Sequence, residues 1–324
     1  MKFDRLAKYS WSVLGYNLVV ILWGAYVRAS GSGAGCGRHW PLCNGEVIPL
    51  TPQIETLIEF THRLMSGLAL VLVLGLFLWA QRNYPKDHSV RLGANLSLLF
   101  IFTEALVGAG LVLFQWVAGD ASVGRAVAMA VHLVNSFMLL ACLALVAWWA
   151  SGGKQLWFGG RGISLVGFGI GLLGVVAIGT SGAITALGDT LFPAGSLTQG
   201  IQQDFAPGVH FLIRLRVWHP LLAVMVGFYI IFLAGVTGFS YPDSITRRFA
   251  KLLIGLFLVQ LAAGMTNLLL LAPIWLQIVH LLLADLVWIV LVLFSAAIFV
   301  FKESGERSAG EQHIALGTGS ARVG

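Results

Sequence analysis

The stretch Ile58-Glu59-Phe60-Thr61-His62-Arg63-Leu64 puts a carboxylate, an imidazole and a guanidinium at the start of a long apolar run. Ionisable groups inside a membrane span cost roughly 2.5–3.5 kcal/mol each on insertion scales, so three within five residues call for a function or a compensating partner. Glu59 and His62 stand at i and i+3, on one helix face, and can address one object. The plainer reading is a helix end at the lipid headgroups, where charges are cheap and Arg63 snorkels.

Composition fixes the setting of that run. Of 324 residues, 58% are hydrophobic and only 10% charged, against about 25% charged in soluble domains. The chain therefore reads as an all-α integral membrane protein. Eight apolar stretches of spanning length fall at about 12–29, 57–80, 92–114, 123–149, 162–184, 208–236, 250–271 and 276–301. The first is too long, and too integrated with the later spans, for a cleaved signal.

Basic residues set the orientation. Lys2, Arg5, Lys8, Arg82, Lys86, Arg91, Lys154, Arg161, Arg247, Arg248, Lys251, Lys302, Arg307 and Arg322 share one side if the amino terminus is cytoplasmic. Both termini are then expected in the cytoplasm of a multi-pass cell-membrane protein. The net charge of +6 is topological asymmetry. No basic face with interleaved aromatics suggests nucleic acid. Residues 302–324 are polar and Gly/Ser-rich, and read as a disordered cytoplasmic tail.

Between the first two spans lies an external loop, 30–56, carrying Cys36-Gly37-Arg38-His39-Trp40-Pro41-Leu42-Cys43. Two cysteines this close in an oxidising compartment favour a disulfide. It is either a staple, worth roughly 2–3 kcal/mol by loop closure, or an exchangeable redox pair. Metal binding is disfavoured because His39 is the only nearby third ligand. Cys142, inside the fourth span, reads as a small buried apolar residue.

The chain then repeats itself. Trp23-Gly24-Ala25-Tyr26-Val27-Arg28-Ala29 is echoed by Ser181-Gly182-Ala183-Ile184-Thr185-Ala186, and Val131-His132-Leu133 by Val279-His280-Leu281. His62 in span two is matched by His219 in span six. The expectation is two tandem, pseudo-symmetric four-helix bundles, 1–155 and 156–301. The halves differ in chemistry. The second has no carboxylate at the place of Glu59, and Pro220 follows its histidine, predicting a kink in span six there. Span three adds the intramembrane Glu104, with Gly108 and Gly110 for close packing.

Even-numbered spans all run inward, so His62, His132, His219 and His280 fall at similar depth in the outer half of the membrane. Paired imidazoles on parallel helices suit the axial ligation of haem iron. Glu59-x-x-His62 is also the unit that di-iron bundles use twice, but no second copy exists here.

The cysteine loop, the Glu59-x-x-His62-Arg63 element and the histidines 132, 219 and 280 in a duplicated eight-span chain resemble the haem A synthase family, in its bacterial form with an external cysteine pair. The resemblance implies oxidation of the C8 methyl of haem O to the formyl group of haem A, by successive hydroxylations. It implies a resident haem b between His219 and His280, and substrate haem between His62 and His132. It implies Glu59 as the acid beside the substrate, Cys36 and Cys43 as a redox pair, and a haem O synthase upstream. The electron donor or acceptor is left unknown. Arg63, Arg214 and Arg216 read equally as contacts to haem propionates or as anchors at the outer interface. Competing functions are a di-haem cytochrome b electron carrier, a thiol-oxidising membrane protein and a haem carrier.

Overall fold

The computed structural model describes residues 5–156, 162–240 and 244–299. Its helices are α1 (Arg5–Ala29), α2 (Ile54–Asn83), α3 (Ser89–Leu113), α4 (Val123–Ala150), α5 (Gly162–Leu191), α6 (Leu197–Phe205), α7 (Phe211–Arg216), α8 (Trp218–Ser240), α9 (Ser244–Leu269) and α10 (Ile274–Ile298). Among the described residues, eight spans are long and apolar enough to cross a membrane, α7 and α8 together making one. A 25-residue helix is about 37 Å long, sufficient for a hydrocarbon layer of about 30 Å. The 302–324 tail lies outside the described residues.

The outer surface is made of the same residues as the core. Val71, Phe228, Phe232 and Phe239 are among the large apolar side chains left exposed, Phe239 at 94%. In water such a surface would drive association; against lipid it is the expected face. The protein is a multi-pass membrane protein.

Helix starts follow their sequence signals. Ser122 Oγ caps α4 by accepting the Arg125 N–H at 3.2 Å, and Ser196 does the same for Gln199 at the start of α6. His210 caps α7 through its Nδ1, accepting from the Leu212 N–H at 3.3 Å.

Helix contacts close two rings. In the first, α1 packs on α2 and α4, α2 on α3, and α3 on α4. In the second, α5 packs on α8 and α10, α8 on α9, and α9 on α10. The rings meet where α4 packs on α5, α1 on α10, and α4 on α10, the last two helices carrying His132 and His280. There the rings of Phe137 and Trp288 stack at 5.0 Å, and Trp288 Nε1–H donates to the Phe137 carbonyl at 2.6 Å. Shared burial makes α10 the most enclosed span, with two thirds of its apolar window covered.

Two local expectations are modified. The interruption in span six falls at Val217, between α7 and α8, a turn before Pro220. A proline ring clashes with the carbonyl four residues earlier, here Arg216, so the helix breaks upstream of the proline. Residues 185–207, which lie between the expected spans 162–184 and 208–236, are substantially helical. The α5 helix continues to Leu191, and α6 follows with Leu197, Ile201 and Phe205 on one face.

Candidate functional site

One continuous cavity of about 1530 Å³ is lined by His62, His132, His219 and His280 together. Ordinary ligand clefts hold roughly 300–1,000 Å³. This one has room for more than one drug-sized or macrocyclic ligand.

The second half brings His219 and His280 face to face, their ring centroids 6.3 Å apart and their planes at 87°. An imidazole nitrogen binds a metal at about 2.0–2.1 Å. Two rings sharing one ion between them therefore have centroids a little over 6 Å apart, which is the separation found. Ser181 Oγ lies 3.1 Å from His219 Nδ1, fixing that ring through the nitrogen away from a ligand on Nε2. Gln260 Nε2 lies 3.3 Å from His280 Nε2.

In the first half, His62 and His132 border the same cavity from α2 and α4. Glu104 of α3 stands behind His132, its Oε1 3.3 Å from Nδ1, within ion-pair reach though off the angle of a good hydrogen bond. Asn135 donates to Glu104 at 2.5 Å, and Ser136 Oγ–H donates to its other oxygen. Buried Nδ1 atoms of His62 and His280 have no hydrogen-bond partner. Buried polar atoms are rarely left so without a ligand to engage the ring. The histidine pairs, the 6.3 Å spacing of His219 and His280 and the apolar walls fit an iron tetrapyrrole.

Three glycines make the room that each ring occupies. A Cβ at Gly24 would lie 2.9 Å from His62 Cε1, one at Gly182 2.9 Å from His219 Cε1, and one at Gly264 2.9 Å from His280 Cε1. Gly24 and Gly182 are the repeat-matched positions of α1 and α5.

Glu59 is 3% exposed and lines the cavity. Its Oε1 accepts from Arg63 at 2.5 Å, and its Oε2 accepts the Cys36 N–H at 2.8 Å. Arg63 also donates to the His39 and Leu42 carbonyls, both at 2.6 Å. Cys36 and Cys43 form a disulfide. Thus the carboxylate, the guanidinium and the bridged loop are one unit beside His62.

The three arginines read equally as propionate contacts or as interface anchors are placed differently from one another. Arg63 is held by Glu59 and the loop. Arg216 is 9% exposed and pairs with Asp204 at 2.5 Å and Asp189 at 3.3 Å. Arg214 is exposed and does not line the cavity. Two other arginines that sequence reasoning passed over do line it, Arg28 and Arg125. Asp285 does as well, at 1% exposure and with Oδ2 unpartnered. A further signal was available in the spacing: Glu104-x-x-x-Gly108 in α3 answers Gln260-x-x-x-Gly264 in α9. Each polar member stands beside the histidine of the next span.

The chain is similar to several known proteins. The chain is 53% identical over 320 residues to a Thermus thermophilus protein named protoheme IX farnesyltransferase, covering 99% of this chain and 51% of that one. The chain spans about half the length of such relatives. It is 46% identical over 97 residues to a heme A synthase of Halalkalibacterium halodurans, covering 30% of this chain and 33% of that protein. Over 132 residues it is 40% identical to a heme A synthase of Alkalihalophilus pseudofirmus, 40% of this chain and 41% of the other. A family model described as cytochrome oxidase assembly protein matches residues 7–292. Eight apolar spans, paired histidines in one cavity and that match place the chain in the COX15-CtaA family, whose bacterial members include the CtaA-type haem A synthases.

Proposed function

We propose that this protein is a haem A synthase of the cell membrane, oxidising the C8 methyl of haem O to a formyl group by successive hydroxylations. Both termini would be cytoplasmic, which the distribution of basic residues supports. The observation that carries the reading is the pairing of four histidines in one cavity, with Glu59 and Glu104 on the side of the first pair.

In this reading His219 and His280 hold a resident haem b, and His62 and His132 hold the substrate haem. The resident group supplies one-electron redox chemistry. Gly182 and Gly264 let the two rings close on their ligand from α8 and α10. Glu104, fixed by Asn135 and Ser136, orients His132 through its Nδ1. Glu59 faces the cavity one turn from His62 and serves as proton acceptor or counter-charge as the methyl carbon is oxidised. Apolar residues from both rings exclude water, which strengthens these electrostatic effects.

The name of the longer Thermus relatives bears on supply. A farnesyl transfer to protohaem makes haem O, and this chain matches only half of their length. We assign the oxidation to the matched half and the transfer to the remainder, so a haem O synthase is the upstream partner. Production of the protein with and without a haem O source, followed by mass identification of extracted porphyrins, tests the assignment. Hydroxylated and formyl products support it, and unmodified haem O under turnover conditions contradicts it.

A further inference from the structure

Arg28 and Arg125 stand on the outer side of all four histidines. Along α1, Arg28 is four residues beyond Gly24, which packs on His62. Its guanidinium crosses to the other ring of helices, donating to the Ala186 carbonyl and Thr190 Oγ1 of α5, both at 2.7 Å, and to Gln277 Oε1 of α10 at 2.9 Å. Ala186 is four residues beyond Gly182, and Gln277 three before His280. On α4, Arg125 is seven residues before His132. The two guanidiniums therefore lie about 6–10 Å outward of the imidazoles along the helices. They are close enough to interact electrostatically with each other.

Their partners are neutral. Arg125 is 3% exposed, donates to the Ala118 and Asp120 carbonyls at 2.6 and 2.7 Å, and keeps a buried Nε with no partner. Among the described residues neither guanidinium has a carboxylate within ion-pair distance. Asp189 acts on Arg28, and Asp120 on Arg125, only from beyond ion-pair distance, and each carboxylate is bonded elsewhere, to Arg216 and to Ser122. Buried cations without counter-ions are costly, and guanidinium forks match carboxylates. A macrocycle held between imidazoles that face one another across the bundle would stand edge-on to the helix ends, and carboxylates on its outer edge would reach this level.

We infer that Arg28 and Arg125 are a carboxylate-recognition pair for tetrapyrrole propionates, located where the two rings of helices meet. The inference rests on the haem reading above and deepens it. On a porphyrin the C8 methyl neighbours a propionate, so gripping that carboxylate also fixes where the methyl lies relative to Glu59. Arg28 belongs to α1 yet is bonded to α5 and α10, so the pair also links the substrate and resident sites.

The test is a Soret titration of the full chain, produced in haem-deficient cells, with ferric protohaem IX and with its dimethyl ester. The wild type binds the free acid about 10–100-fold more tightly than the ester. In the Arg28→Gln, Arg125→Gln double variant that preference falls below about threefold, while ester affinity is unchanged. A wild type that binds acid and ester equally overturns the pair whatever the variant does, as does a double variant that keeps the full preference. Failure of the wild type to bind either porphyrin is a separate result that overturns the haem reading itself.

Discussion

The Glu59 carboxylate accepts the Cys36 backbone N–H at 2.8 Å, so the disulfide loop is fastened to the same side chain that faces the cavity beside His62. A single residue thus has a structural bond on one oxygen and an ion pair with Arg63 on the other. Replacing Glu59 with Ala should lower haem O conversion by about 10²–10⁴-fold, the usual scale for a lost acid or base. Haem held by His219 and His280 should stay bound, because that pair lies in the other ring of helices. Glu59→Gln separates the roles: it retains an acceptor for Cys36 but not the charge, and conversion should remain low. Normal turnover in the Gln variant would reduce Glu59 to a loop anchor.

The disulfide closes a loop across which Cys43 N–H also donates to the Glu46 carbonyl at 2.9 Å. Changing Cys36 and Cys43 together to Ser should cost about 2–3 kcal/mol locally by loop-closure entropy. Thermal unfolding and limited proteolysis of the 30–56 segment would register that loss. If the pair is only a staple, conversion at low temperature should survive; abolished conversion with an intact loop would assign it a redox part.

Gly182 and Gly24 offer a matched pair of probes. Alanine at either brings a Cβ to 2.9 Å from an imidazole carbon, and overpacking of this kind costs about 1–3 kcal/mol. Gly182→Ala should weaken tetrapyrrole retention at His219 and His280 by roughly 5–150-fold and spare the first-half site. Gly24→Ala should do the reverse. Absorbance of the purified variants distinguishes the two, and equal effects at both sites would show that the glycines serve general packing.

Glu104 behind His132 and Gln260 behind His280 occupy answering places in the two halves but differ in charge. A carboxylate against an imidazole makes it a stronger donor to iron and favours the oxidised state. Glu104→Gln should therefore raise the potential of haem bound in the first half, by about 65–130 mV if a charge-assisted interaction of about 1.5–3 kcal/mol is lost. Spectroelectrochemical titration reads this directly. An unchanged potential would leave Glu104 as a packing partner of Asn135 and Ser136.

Much of this site was legible in the chain because membrane spans carry few polar residues. Four histidines in repeat-matched places needed only helical periodicity and inward direction to be put at one depth. The echo of Gly24 by Gly182 was also visible, but its cause was not, since a close approach of α1 to His62 is a packing fact. Arg63 and Arg216 illustrate the limit. Their charge was plain, whereas their capture by Glu59, Asp189 and Asp204 depends on loop paths and on α6, which lies between the expected spans. Arg28 was read only as part of an echo motif, because its partners are 158 to 249 residues away. Pro220 announced a break in span six, and the steric reach of its ring moved that break to Val217.

Chemical conversion of a tetrapyrrole in this cavity is tested most directly by the mass of what the protein releases. Cells producing the wild type with a haem O source should yield hydroxylated and formyl haem, while cells lacking that source should yield haem b alone. If instead every preparation carries two equivalents of unmodified haem b per chain, the protein is a di-haem electron carrier and the synthase account is wrong.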